Sequence, residues 1–243
     1  MESKRLLAAV TGLLALSAAS AVAHEIKSDK GGKVDAAFDV VRTNISTEGK
    51  DAVFRIGVSG KAGSAKPTPT GKLAGSTVYS YVWPTSLDSG TVGFDQGQGI
   101  LALAVTSHPD FDDTPLQDEN GDGRNDNDGD VWHSHWVVLV QDETCGPGAL
   151  KVKDIPEGTK PKLPPTWPNL PILIDSPGYE PAIGGNSVEV RVPLERLGAV
   201  KGISFDGVTA ALRVNASVHS PLLCVADVFD VASGNLSLPG KVE

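Results

Sequence analysis

The sequence holds a single methionine, Met1, and only two cysteines, Cys145 and Cys224. No C-x-x-C spacing occurs, which excludes a zinc-ribbon type of thiolate site. Basic residues are scarce: Lys+Arg number 21 against 30 Asp+Glu, for a net charge of −9, and a chain this acidic has no electrostatic footprint for nucleic acid. After the first residues no apolar run reaches the ~18 residues of a membrane span. Aromatics are only 5%. What is plentiful is Gly, 27, and Pro, 17, without a G-X-Y period, so turns dominate and collagen and coiled coil are excluded. With 40% hydrophobic and 21% charged residues the composition is that of an ordinary folded chain, long enough for one large β domain.

Lys4 and Arg5 precede the apolar stretch Leu6 to Leu16, and small residues follow from Ser17 to Ala23. This is the layout of a bacterial secretory signal peptide, residues 1–23, with cleavage expected after Ala21-Val22-Ala23. The mature protein, residues 24–243, is then periplasmic or secreted and begins at His24. In an oxidising compartment Cys145 and Cys224 are expected to pair, closing a loop that stabilises by roughly 4 kcal/mol on the chain-entropy model.

Runs rich in β-branched and aromatic residues recur at Val34 to Ile45, Ala52 to Val58, Thr77 to Trp83, Ile100 to Val105, Val131 to Gln141, Val188 to Val192, Val208 to Val214 and Leu222 to Val231. Separated by Gly, Pro, Asn and Asp, they predict an all-β fold: a single antiparallel sandwich, immunoglobulin-like or jelly-roll-like, with long loops. Strict alternation turns Val188, Val190 and Val192 to the core and Glu189 and Arg191 to water. Leu194 to Ala199 predicts a short helix. The Pro-rich segment 156–171 cannot supply a central strand, because proline lacks a ladder donor.

The stretch Val190-Arg191-Val192-Pro193-Leu194-Glu195-Arg196-Leu197-Gly198 resembles the closing motif of carbohydrate-binding-module and DOMON-type β-sandwiches, and Gly129-Asp130-Val131-Trp132-His133 is similar to a strand start in their haem-binding relatives. The resemblance implies a sandwich that holds a sugar or haem ligand rather than a catalyst. No methionine other than Met1 exists to serve as an axial haem ligand.

Between residues 110 and 130 lie nine carboxylates, Asp110, Asp112, Asp113, Asp118, Glu119, Asp122, Asp126, Asp128 and Asp130, against the one cation Arg124. Such density repels itself unless a cation sits within it. Asp118, Asn120, Asp122 and Asp126 fall at positions 1, 3, 5 and 9 of an EF-hand-type calcium loop, with Gly123 at position 6 and the Arg124 carbonyl at position 7. Gly129 stands where the closing glutamate belongs, so Asp128 or Asp130 would complete the shell. The alternative is a solvated acidic loop.

Five histidines occur: His24, His108, His133, His135 and His219. On one strand His133 and His135 project together, and Trp132, Ser134 and Trp136 project oppositely. Cleavage before His24 would free an amine beside its imidazole, which resembles the histidine brace of CopC-like copper carriers and lytic polysaccharide monooxygenases. That implies Cu(II) held by His24 with His133 or His135, His108 or His219 serving as substitutes. No nucleophile elbow, H-E-x-x-H helix or P-loop is present. The reading therefore leans to a non-enzymatic metal-binding protein of calcium and copper, against a carbohydrate- or ligand-binding module, a periplasmic partner protein's binder, or a copper monooxygenase.

Overall fold

The computed structural model describes residues 24–243; the expected signal segment, 1–23, lies outside the described residues. In chain order the elements are β1 (Ile26–Lys27), β2 (Val40–Glu48), β3 (Asp51–Val58), β4 (Thr77–Pro84), β5 (Ile100–Ser107), β6 (His133–Gln141), β7 (Leu150–Val152), β8 (Ile174–Asp175), β9 (Ala182–Gly184), β10 (Ser187–Pro193), α1 (Leu194–Leu197), β11 (Ser204–Phe205), β12 (Val208–Val214), β13 (Leu223–Val231) and β14 (Gly240–Lys241).

All the strand pairings are antiparallel. One sheet of five strands has the order β1-β2-β3-β10-β9. A second sheet pairs only β11 with β14, and the expected single sandwich is corrected in the third, seven-stranded sheet, which closes on itself. There β5 pairs with both β4 and β6, β6 with β7, β7 with β13, β13 with β12 and β12 with β4. Six strands form a ring, with β8 attached to the middle of β6. Closure depends on pairings between distant segments and leaves no signature in any one strand, yet it removes the open edges that a flat sheet must protect.

Alternation along the ring strands builds two cores. Tyr81, Trp83, Leu103, Val105, Trp136 and Val138 meet Phe54, Ile56, Val188, Val190 and Val192 of the five-stranded sheet. Their alternate neighbours Val78, Val82, Ala102, Ala104, Val137, Leu139, Ala210 and Leu212 fill the inside of the ring. Tyr81 and Trp83 are therefore core rather than an exposed aromatic platform, and Glu189 and Arg191 face outward into a ladder of ion pairs with Arg55 and Glu48. The helix is a single turn over Leu194–Leu197.

Candidate metal centre

His133 and His135 lie at the start of β6, opposite Thr106 and Ala104 of β5. Trp136 points to the inter-sheet core, so the two imidazoles turn toward the inside of the ring, as residues two apart must. His108 follows directly on β5, its N–H held by the Gly129 carbonyl at 2.9 Å. Asp113 comes from the loop beyond, anchored where the Ser176 hydroxyl donates to the Asp113 carbonyl at 2.6 Å. These four side chains are all buried, and their ligand atoms lie within 4.8 Å of one another.

The separations have a chemical meaning. His108 Nε2 and His133 Nε2 are each 3.1 Å from Asp113 Oδ1, His135 Nε2 is 3.2 Å from Asp113 Oδ2, and the first two nitrogens are 3.2 Å apart. Ligands of a tetrahedral ion with ~2.0 Å bonds stand about 3.3 Å apart, close to these four separations, and the group as a whole spans no more than 4.8 Å. His135 Nε2 has no hydrogen-bond partner although it is buried.

The outer nitrogens explain why the inner ones are free. His133 Nδ1 lies 2.6 Å from the Val131 carbonyl, which can only accept, so Nδ1 carries the proton and Nε2 keeps its lone pair in the neutral ring. Ser176 spends its one proton on Asp113 O and must accept from His135 Nδ1 at 3.0 Å, which imposes the same tautomer. His108 is held by stacking on Phe111, with ring centroids 3.8 Å apart. Its Nδ1 has no partner.

Electrostatics follow from burial and crowding. Burial raises the Asp113 pKa, but the imidazoles of His135 and His108 outweigh it and hold the carboxyl well below its usual range. Desolvation opposes a charge on His133, and Asp113 beside it reverses this and raises its pKa. For His135 desolvation dominates and the pKa is lowered. One carboxylate and three imidazoles in a buried site could hold a metal ion.

His133 and His135 were expected to act together, and they are in this group. Asp113 was counted only as one charge among nine, and His108 only as a substitute; the spacing His108-x4-Asp113 after a strand paired with H-x-H is the signal that would have singled them out. His24 is exposed, its backbone N–H 3.3 Å from the Lys241 carbonyl, and is not among the converging side chains. His219 is also exposed.

The acidic loop folds upon itself. Asp118 accepts from the N–H groups of Gly121, Asp122 and Gly123 at 2.7, 3.1 and 2.8 Å, and Asn120 accepts from Asp122 N at 2.8 Å. Gly123 has φ +86°, a conformation that favours glycine. Asp122 binds Arg124 N and the Asn127 amide, and Asp126 pairs with the Arg124 guanidinium. Asp128 is fully buried and takes the Glu119 N–H at 3.1 Å. Asp130 lies 3.6 Å from Lys66.

A cleft of about 300 Å³ reaches His133 from outside, between Thr114, Gln117, Glu119, Ser134 and Tyr179. No protein-family model, curated protein or solved structure matches the chain.

Proposed function

We propose that this protein binds one divalent transition-metal ion of the zinc class through His108, Asp113, His133 and His135, as a non-enzymatic metal-binding protein of an exported compartment. The observation that carries the reading is convergence: three Nε2 atoms and a carboxylate at coordination-shell spacing, with two of the rings committed through Nδ1 to acceptors. Four protein ligands make a closed shell, which is the pattern of a metal-holding site rather than of one with an open catalytic position. Both cysteines are bonded to each other, so no soft thiolate competes and a borderline ion suits the donors. Copper follows zinc's ligands with higher intrinsic affinity, so geometry rather than tightness separates the two. Export rests on the pattern of residues 1–23 and is supported by the disulfide.

Titrating the metal-free protein with Co(II) should produce tetrahedral visible absorption that saturates at one equivalent and is abolished by Zn(II). Asp113→Ala and His133→Ala should each remove it while the far-ultraviolet spectrum stays β-like. Absorption retained in both variants would place the metal elsewhere.

A second reading concerns calcium at Asp118, Asn120, Asp122, Arg124 and Asp126, favoured by the three amides gathered on Asp118 and by the Gly123 turn. Millimolar calcium should raise the melting temperature of the protein and not that of Asp122→Ala. An equal response from both would remove calcium from the loop.

A further inference from the structure

The inside of the ring is not fully packed. A cavity of about 80 Å³ lies among Val78, Val82, Ala104, Val137, Ala210 and Leu212, and two of the four proposed metal ligands, Asp113 and His135, also border it. Of the other polar side chains on its wall, the Ser80 hydroxyl donates to the Ala210 carbonyl, and Thr106 Oγ1 lies 3.1 Å from His133 Nε2, at the edge of the metal group rather than in the apolar part of the wall. An apolar chamber of this kind stays dry and accepts apolar guests. Asp113 and His135 are the one place on its wall where a charged or coordinating atom finds a partner.

The chamber also reaches the surface. Val228 and Leu236 line it and are 45% and 39% exposed, forming an apolar lip. Behind that lip the β12–β13 pairing slips twice, at Thr209/Ala210 and Ala211/Leu212, and bulges of this sort loosen a wall locally.

We propose that the chamber is a binding site for a short aliphatic molecule with a metal-ligating head, its head on the ion between Asp113 and His135 and its tail inside the ring. The four protein ligands would close the shell only while the chamber is empty, and a bound ion would take this head as a fifth ligand, an expansion known for zinc. Size sets the class of guest. The volume of about 80 Å³ is about half the ~150 Å³ that takes up the six carbons of benzene, which leaves room for about three. Long-chain lipids and ring compounds are too large, and sugars have hydroxyls that the wall cannot satisfy. The inference rests on the metal reading above and adds the ligand class.

The test uses Co(II)-loaded protein and straight-chain carboxylates from acetate to octanoate, followed by the change in the cobalt spectrum. Affinity should rise about fourfold per methylene, equivalent to ~0.8 kcal/mol, up to butanoate or pentanoate and then level off or fall. Ala210→Val should narrow the chamber and shift the optimum to a shorter chain; Val78→Ala should widen it and shift the optimum to a longer one. Either shift supports the site, so one misfolded variant leaves the other to decide. Affinity independent of chain length, with the cobalt spectrum intact, would overturn the chamber and leave the metal reading standing. Absence of a cobalt spectrum would overturn both.

Discussion

Ser176 illustrates how a single hydroxyl decides what a histidine can do. It gives its proton to the Asp113 carbonyl and thereby must accept from His135 Nδ1, so one residue fixes both the loop that carries the carboxylate and the tautomer of the ring facing it. Partners of this kind are worth roughly 10- to 100-fold in metal affinity. Ser176→Ala should therefore weaken metal binding by about that factor, measured by competition with a chelator, with the cobalt spectrum retained. The same competition run against pH has a determined sign. Asp113 has its pKa depressed, so it stays ionised at neutral pH, whereas His133 has its pKa raised by Asp113, so that as pH falls a proton competes with the metal for its Nε2. Affinity should fall as pH drops, by about tenfold per unit while one proton is displaced. A flat profile through the imidazole range would mean that the histidines do not ligate. At this scale the H-x-H pair was legible because period two puts both rings on one face. Asp113 was not, because within the acidic stretch itself nothing distinguishes it from eight carboxylates of the same sign, Asp128 among them equally buried.

At the scale of elements, the strands whose pattern is long were readable and the short ones were not. The Val188, Val190, Val192 face stands as the alternation requires, Val208–Val214 is a strand buried throughout except at Arg213, and the residue range 156–171 contains no strand. Strands β1, β8, β11 and β14 have two residues each, too few to show any period. The acidic loop was legible as a charge cluster, but its docking was not, since that depends on one tight contact. A Cβ on Gly129 would stand 2.1 Å from the Phe111 carbonyl oxygen and 2.8 Å from His108 Cε1. Glycine is thus what lets the end of the loop pass over the His108–Phe111 stack. Gly129→Ala should force that stack aside, lowering both the melting temperature and the metal affinity. Another glycine of the same loop offers a control: an added Cβ on Gly121 meets nothing within 4 Å, and although its φ of +72° makes Gly121→Ala strained, the metal affinity should be untouched. If Gly129→Ala binds metal as the parent does, His108 is not a ligand.

At the scale of the whole molecule, the ring is closed unevenly. Strand β5 meets β6 over seven residue pairs from Ile100↔Leu139 to Thr106↔His133, whereas β13 meets β7 through the single pair Cys224↔Lys151. That seam is the weak place, and it is where the disulfide lies: Cys145, just before β7, is bonded to Cys224 across 79 residues of sequence. The Lys151 ammonium adds ion pairs to Asp142 and Asp154, both at 2.7 Å, which as partly exposed contacts contribute little by comparison. Closing a loop of this length stabilises the fold by roughly 4 kcal/mol in the chain-entropy account. The metal group sits at the opposite end of β6, beyond the residues Leu139 to Gln141 that pair with β7. Reduction, or a Cys145→Ser, Cys224→Ser double variant, should therefore act on stability and on the site separately. The melting temperature should drop by roughly 10 °C and amides of β7 and β13 should exchange first, while cobalt affinity measured well below the new melting temperature stays within about twofold of the oxidised protein. Loss of metal binding before any loss of β structure would show instead that the seam and the site form one cooperative unit, with the closed ring holding the imidazoles in place.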